Sequence, residues 1–274
     1  MQLAGKVAIV TGGGSGMGRE ICLEFAQEGA ALVVASNVPA QIEEVAAECR
    51  AQGARAVAAY ADVSVEADVK ALVERCLREY GKVDVLVSAA GIGLAQLGVA
   101  TQLDTTETTL EQWRRIYEVN VFGVYLCARE VVAPMAANGG GSIMNFASGT
   151  VRFPGPGLGP YTSSKFAVEG FTKILAQEVE RQNIRANCLQ PGGLVDTALI
   201  GPERPAAERE SFHQPSVIRK CAVWLASDES RFITGRSIVA AAWNQERGLV
   251  LCPCRACSQR AARTPIEARG VTAL

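Results

Sequence analysis

The sequence predicts an α/β fold in which a doubly wound, Rossmann-type parallel sheet of about seven strands carries helices on both faces. Short apolar runs of strand length alternate with amphipathic segments of helix length along most of the chain. Strands that are apolar throughout are typical of a parallel sheet covered on both faces. A Gly-rich turn also joins the first strand to the first helix, which is where such folds bind phosphate groups.

The predicted elements alternate regularly along the chain. Hydrophobic periodicity predicts seven strands, at residues 7–10, 32–35, 56–60, 83–87, 142–146, 185–189 and 237–242. It predicts helices at residues 19–27, 39–52, 66–80, 110–137, 161–182 and 217–226. Thr108 or Thr109 is expected to cap the helix at 110–137, because Glu111 and Gln112 supply acceptors in its first turn.

The composition excludes several classes of protein. The 274 residues carry 27 basic and 28 acidic side chains, and this balance argues against a nucleic-acid partner or an anionic membrane surface. No run of 18 apolar residues occurs, and Met1 leads almost directly into a strand, so we expect neither a membrane span nor a signal peptide. Most of the nine Cys lie in apolar segments, which favours a reducing, cytoplasmic compartment.

The single His and the last residues limit the chemistry further. One His excludes a metal site built from two or three His, and a Ser-His-Asp triad would have to use His213. We expect His213 to be a solvated residue of a loop over the substrate site. Residues 251–274 lose the periodicity and are predicted to form a loosely ordered extension of a single domain at 1–250. The Cys-x-Cys-x-x-Cys motif at 252–257 lacks a fourth ligand, so no metal is predicted.

The turn after the first strand has the composition of a phosphate-binding loop. Residues 11–18 read T-G-G-G-S-G-M-G. Gly residues permit a tight turn and let backbone N–H groups approach a pyrophosphate at the positive end of the next helix. A plain turn is the alternative, and the strand–turn–helix context favours a dinucleotide. The candidate contacts are Gly12, Ser15, Gly16, Met17 and Gly18.

A Tyr and a Lys are spaced to lie on one face of a helix. Tyr161 and Lys165 are separated by one helical turn. A neighbouring ammonium lowers the pKa of a Tyr phenol from near 10 toward the range useful for acid/base chemistry. An ordinary exposed pair is the alternative for this spacing alone. Ser148 follows the fifth strand, and Asn120 lies at an unfavourable mid-helix position, which suggests a specific role for the Asn.

The Gly-rich loop, Asn120, Ser148, Tyr161 and Lys165 resemble, in order and spacing, the classical short-chain dehydrogenase/reductase family over about residues 3–240. The resemblance implies hydride transfer between a nicotinamide and a carbonyl or secondary alcohol carbon. It implies that Tyr161 exchanges the proton, that Lys165 holds the nicotinamide ribose and lowers the Tyr161 pKa, and that Ser148 orients the carbonyl. Asn120 would support a water-linked proton path to Lys165.

The resemblance also implies further contacts with the cofactor and the substrate. Asp62 and Val63 match the family pair that contacts the adenine, and the segment beginning at Pro191 matches the one that flanks the nicotinamide. The further cofactor contacts are therefore Asp62, Val63, Ala90, Gly91, Pro191, Gly192, Val195 and Thr197. Besides Ser148 and Tyr161, the residues expected to line a mostly apolar substrate site are Thr150, Phe153 and Leu194. Residues 198–215 are expected to form a short, mobile lid.

Two departures from the family pattern concern the cofactor. The family's N-N-A-G is S-A-A-G at residues 88–91, which predicts altered stability or cofactor affinity. Ser36 stands where an acid would bind a ribose 2′-OH and indicate NAD. The missing acid favours NADP, with NAD as the alternative because Asn37 replaces the Arg typical of NADP-dependent relatives. Both Ser36 and Asn37 are candidate cofactor contacts.

Two other functions are alternatives to this one, and the resemblance also has a consequence for assembly. A dinucleotide-sensing regulatory protein of the same fold would have lost catalysis, and the intact Ser148, Tyr161 and Lys165 argue against it, because a sensor needs no proton donor. An epimerase or dehydratase of the extended relatives ranks last, because those proteins are longer and space their Gly residues differently. The resemblance implies a homo-oligomer, a tetramer or dimer packed through the helices at 110–137 and 161–182.

Overall fold

The computed structural model describes residues 1–201 and 204–249, and the predicted extension at 251–274 lies outside them. The strands are β1 (Val7–Thr11), β2 (Ala31–Ser36), β3 (Ala56–Tyr60), β4 (Val85–Ser88), β5 (Gly141–Phe146), β6 (Ile184–Gln190) and β7 (Ser237–Val239). The helices are α1 (Gly16–Gln27), α2 (Pro39–Ala51), α3 (Glu66–Tyr80), α4 (Leu110–Tyr117), α5 (Gly123–Ala137), α6 (Gly159–Val179), α7 (Ala206–Arg209), α8 (Arg219–Ala226) and α9 (Ala240–Glu246).

The strands form one parallel sheet in the order β3-β2-β1-β4-β5-β6-β7. The strand order reverses between β1 and β4, where Thr11 pairs with Ser88. In doubly wound sheets, ligands bind in the crevice beyond the carboxyl ends of the strands at this reversal. The predicted fold class is confirmed, and the reversal brings together the loops that follow β1 and β4.

Both faces of the sheet are covered by helices, as the continuous apolar strands predict. On one face, Val10 belongs to a buried cluster that includes Ile21 of α1 and Ile42 of α2. On the other, Ile9 belongs to a cluster with Val69 of α3 and Val131 of α5. Every residue of β1 is buried, so the strand that leads into the phosphate loop is held from both sides.

Local signals account for the ends of two helices. α3 has the predicted bounds, and it ends at Gly81, which adopts a left-handed φ of 77°. Thr109 caps α4: its hydroxyl accepts from the Gln112 backbone N–H at 3.2 Å, while its own N–H donates to the Gln112 side chain at 2.8 Å. The predicted cap is thereby confirmed and assigned to Thr109 rather than Thr108.

The predicted last strand is too long. β7 ends at Val239, and Ala240 begins a helix instead of continuing the strand. Val239 pairs with Gln190, and the next backbone hydrogen bond between the two segments, from the Ala241 N–H to the Pro191 oxygen at 3.0 Å, is made from the first turn of the helix. The Ala-rich sequence then follows its helical propensity.

The predicted helix at 110–137 is interrupted by a π-helical turn at Glu118–Phe122, between α4 and α5. By length and composition, the whole run Leu110–Ala137 is apolar enough to cross a membrane, and half of its most apolar window is buried inside the protein. α5 packs against α3, β4 and β5. A core helix satisfies the same criterion of length and composition, so this run does not by itself indicate a membrane protein.

Candidate active site

A cavity of about 750 Å³ lies at the carboxyl ends of the strands, where the strand order reverses. Most of the predicted site residues line it: Gly12, Ser15, Gly16, Met17, Gly18, Ala90, Gly91, Ser148, Thr150, Phe153, Tyr161, Lys165, Pro191, Leu194, Val195 and Thr197. The predicted residues that do not line it are Ser36, Asn37, Asp62, Val63, Asn120 and Gly192. The phosphate loop and the Tyr–Lys pair, far apart in sequence, therefore share one cavity.

The phosphate loop packs so tightly that side chains are excluded at two of its Gly residues. Gly12 has a φ of +65°, and a Cβ built on it would lie 2.7 Å from the backbone nitrogen of Ala90. A Cβ on Gly18, in the first turn of α1, would collide with the backbone oxygen of Gly12. The loop therefore forms a side-chain-free cradle at the N-terminus of a helix, which fits the pyrophosphate of a dinucleotide.

Ser148 and Tyr161 are brought together by the end of β5 and the first turn of α6. The Ser148 hydroxyl accepts hydrogen bonds from the backbone N–H of Thr150 at 3.3 Å and from its hydroxyl at 3.1 Å. It is also close enough to the Tyr161 phenol to lower the pKa of that phenol. A carbonyl oxygen within reach of one of these hydroxyl groups is therefore within reach of the other.

The protonation of Tyr161 differs from the expectation. Burial raises the pKa of the Tyr161 phenol above its usual value, and the Ser148 hydroxyl acts in the opposite direction. Lys165 Nζ donates to the backbone oxygen of Phe146 at 2.9 Å and lies 5.6 Å from the centre of the Tyr161 ring, and its lowering of the Tyr161 pKa stays a prediction. Tyr161 is consequently a protonated phenol at neutral pH, the form required of a proton donor.

Asn120 lies in the π-helical turn and is fully buried. Its Oδ1 accepts from the Ile92 N–H at 2.8 Å, and its Nδ2 donates to the Ile92 oxygen at 2.9 Å and to the Ser164 hydroxyl at 3.0 Å. These bonds join the loop after β4 to α6, one residue before Lys165. The turn that interrupts the long helix thus positions the amide, as π-helical turns often do at functional sites.

Comparison with known proteins agrees with this geometry. A family model described as short chain dehydrogenase matches residues 6–208. The chain belongs to the classical short-chain dehydrogenase/reductase family. A short-chain type dehydrogenase/reductase of Picea abies is 35% identical over 252 residues, which cover 86% of this chain and 91% of that protein.

Solved structures of short-chain dehydrogenases match over similar lengths. A 3-ketoacyl-(acyl-carrier-protein) reductase from Brucella melitensis, complexed with NADH, superposes with a TM-score of 0.78 at 36% identity and covers 86% of this chain and 97% of its own. A 7α-hydroxysteroid dehydrogenase, complexed with NADH and 7-oxo glycochenodeoxycholic acid, has a TM-score of 0.78 at 30% identity and covers 88% of this chain and 94% of its own.

In this short-chain dehydrogenase, the residues predicted to contact the adenosine lie beyond the cavity. Asp62 follows β3, and its carboxylate accepts from the Ser64 hydroxyl at 2.6 Å and from Arg115 Nη2 at 3.0 Å. These bonds hold the pKa of Asp62 below its usual value, against the opposing effect of burial. Ser36 ends β2, and its hydroxyl accepts from the Val38 N–H at 3.2 Å.

His213 is not the solvated residue that was expected. It is half-buried, and burial lowers its pKa. A Cβ built on Gly193 would lie 2.9 Å from the His213 ring, so the imidazole packs directly on that backbone. His213 also forms a parallel bridge with Val195, which joins the end of the lid region to the segment that follows β6.

Several cavity residues escaped the sequence analysis. They are Leu94, Gln96, Thr101, Gln102 and Asp196, whereas Leu199, Ile200 and Arg204, which also line the cavity, belong to the predicted lid. The loop after β4 carries no local motif, and only the fold shows that it lies beside the segment after β6. Their contact is direct: Gln96 Nε2 donates to the Ala198 oxygen at 2.6 Å.

The buried Lys165 is expected to make the stability of this short-chain dehydrogenase depend on pH. Burial lowers the pKa of Lys165 to about 8, whereas the unfolded chain restores its usual value of 10.5. The unfolded state therefore binds more protons between these pH values, and Lys165 makes the wild type more stable as pH rises through this window. Lys165→Met removes this dependence. We expect the stability difference, variant minus wild type, to fall by about 3 kcal/mol from pH 8 to 10.5.

Chemical unfolding of both proteins across this pH range measures the difference. The matched control is Lys173→Met, because Lys173 is exposed on the same helix. A difference between Lys165→Met and the wild type that does not change with pH would contradict the assignment of a buried, weakly basic Lys165.

Proposed function

We propose that this protein is an NAD(P)-dependent oxidoreductase that interconverts a carbonyl compound and a secondary alcohol, with Tyr161 as general acid and base. The proposal rests on one observation: Ser148, Tyr161 and Lys165 line the same cavity as the phosphate loop. The NADH complexes of the two related structures support a nicotinamide dinucleotide. Bound beside these residues, the nicotinamide supplies the hydride in reduction or accepts it in oxidation.

The side chains divide the remaining work between them. In reduction, the Ser148 hydroxyl donates a hydrogen bond to the carbonyl oxygen and polarises it. Tyr161 gives its phenolic proton to the same oxygen, and in oxidation it takes that proton back. Lys165 would hold the nicotinamide ribose, and its charge would stabilise the phenolate that Tyr161 leaves. Asn120 fixes the loop after β4 against α6, and the water-linked proton path to Lys165 stays a prediction.

The test is a panel of carbonyl compounds and secondary alcohols, assayed with NADPH, NADH, NADP and NAD. Oxidation of a reduced cofactor that depends on a carbonyl substrate is the expected result. The dinucleotide-sensing alternative predicts tight binding of a cofactor and no turnover of any compound. Binding measured alongside the panel separates that outcome from a protein that takes no dinucleotide at all.

NADP is the cofactor form that we propose, because neither Ser36 nor Asn37 is acidic. A Cβ on Gly14 would lie 3.2 Å from the Ser36 hydroxyl, so the residue at position 36 is adjacent to the phosphate loop. NAD is the alternative. Two observations favour NAD. The nearby Arg19 is already engaged in an ion pair with Glu48 at 2.7 Å rather than available for a 2′-phosphate, and both related complexes hold NADH.

The preference for NADP over NAD can be measured, and a substitution of Ser36 is expected to reverse it. Ser36→Asp is expected to raise KM for NADP at least about tenfold relative to NAD, because the new carboxylate repels a 2′-phosphate and accepts from a ribose 2′-OH. Ser36→Asn has a similar size without the charge and serves as the control. A wild-type preference for NAD above tenfold would refute the choice of NADP.

We also propose a homo-oligomer, a tetramer or dimer, and a reducing cytoplasmic location. The helices expected at the interface expose large apolar side chains: Phe122 is 54% exposed, Phe166 49% and Ile174 56%. Six Cys of the described residues are free and buried, which is compatible with a reducing compartment. Light scattering on a size-exclusion column would determine the assembly.

A further inference from the structure

The segment after β6 lies against the phosphate loop and forms part of the cavity wall. We call residues 191–201 the strap. A Cβ built on Gly16 would lie 3.3 Å from the Thr197 side chain, so the strap and the start of α1 are in contact range. Thr197 and Gly16 both line the cavity. A dinucleotide with its pyrophosphate on the phosphate loop is therefore bordered by the strap.

The strap is tied to its surroundings along both edges. On one edge, Gln96 Nε2 donates to the Ala198 oxygen at 2.6 Å, and the Gly201 N–H donates to the Thr101 hydroxyl at 3.0 Å. On the other, His213 exchanges backbone hydrogen bonds with the strap: its N–H donates to the Leu194 oxygen at 2.8 Å, and its oxygen accepts from Asp196 at 2.9 Å.

A charged side chain adds a stronger tie at this second edge. Arg209, at the end of α7, donates through Nε to Asp196 Oδ1 at 2.7 Å, and its Nη2 lies 2.6 Å from the same oxygen. Nη2 also donates to the backbone oxygen of Thr197 at 3.3 Å. The Arg209 side chain is 27% exposed and does not line the cavity. Substituting Arg209 therefore changes the hold on the strap and removes no side chain that lines the cavity.

We propose that Arg209 is a positioning residue that holds the strap over the bound dinucleotide and sets its rate of dissociation. The inference rests on the dinucleotide binding proposed above and is independent of the reaction catalysed. Charge-assisted hydrogen bonds are stronger than neutral ones, and this group makes contact with both a carboxylate and the Thr197 backbone. Its loss is expected to raise the dissociation rate about three- to tenfold, with the association rate little changed.

The experiment measures the release of bound NADPH and of NADH by stopped-flow fluorescence after displacement with excess oxidised dinucleotide. Arg209→Gln is the decisive variant, because Asp196 itself lines the cavity. Asp196→Asn should give a similar increase, and the double variant should release no faster than the faster single variant. Arg209→Lys, which keeps a charge, should release at an intermediate rate. Arg181→Gln makes the same substitution at an exposed, remote position and should match the wild type.

The outcomes separate this inference from the proposed function. Release from a folded Arg209→Gln variant at the wild-type rate overturns the role of Arg209 while dinucleotide binding stands. Slower association with unchanged release also overturns it, because a damaged site rather than a loosened strap would be responsible. A wild-type protein that binds neither NADPH nor NADH overturns the proposed function itself. Thermal unfolding of each variant confirms that the compared proteins are folded.

Discussion

Replacing Tyr161 with Phe is expected to reduce turnover by a factor of about 10² to 10⁴, as the loss of a positioned general acid does. The substitution keeps the ring in place and removes only the hydroxyl that carries the proton. The phenol is protonated at neutral pH, since burial raises its pKa. Without the phenol hydroxyl, a carbonyl oxygen held by Ser148 loses the neighbouring proton donor.

Binding of the dinucleotide should survive this change. Loss of one hydrogen bond contributes about 0.5–1.5 kcal/mol, so the Kd of NADPH or NADH is expected to rise less than about tenfold. Steady-state assays and fluorescence titration measure the two effects separately. Tyr125→Phe is the control, because Tyr125 is partly exposed on α5 and lies outside the cavity lining. Near-wild-type turnover in the Tyr161→Phe variant would remove Tyr161 from the mechanism.

Sequence signals within a segment predicted the elements whose bounds depend on interactions inside that segment. α3 begins and ends where its apolar period indicates, and the structure adds Gly81 as the residue that ends it. The end of the last strand could not be obtained in this way. Residues 240–242 are compatible with a strand or a helix, and the choice depends on β6 ending before Pro191, which belongs to a different part of the chain.

The features of the candidate site likewise divide into those that local motifs predict and those that depend on contacts between distant segments. Motif spacing identified the Gly-rich loop, Ser148, Tyr161 and Lys165, and the structure brings these residues to one cavity. The pKa of Tyr161 was expected to be lowered, but burial raises it, and a spacing of four residues predicts neither that burial nor the direction of the Lys165 ammonium. It points at the Phe146 oxygen. The tie between Arg209 and Asp196 likewise has no sequence signature, since it joins the end of a short helix to the irregular strap.

Substituting Gly18 with Ala is expected to weaken dinucleotide binding about 100-fold or more, equivalent to about 2.7 kcal/mol. The new Cβ would collide with the Gly12 backbone oxygen, and neither group lies at the end of a flexible side chain. The start of α1 must therefore move away from the loop. Several backbone N–H groups would then no longer point at the pyrophosphate, and each charge-assisted hydrogen bond contributes about 1.5–3 kcal/mol. Overpacking should also lower the free energy of unfolding by about 1–3 kcal/mol.

Gly170→Ala provides the matched control for this variant. Gly170 is exposed on α6, and a Cβ built there meets nothing within 4 Å. The same substitution should leave the Kd of NADPH and NADH unchanged and raise stability by about 0.5–1 kcal/mol, because Ala is the better helix former. Fluorescence titration and chemical unfolding of both variants supply the two measurements. A folded Gly18→Ala variant with wild-type affinity would show that the pyrophosphate does not depend on this cradle, and the dinucleotide site would then have to be sought elsewhere.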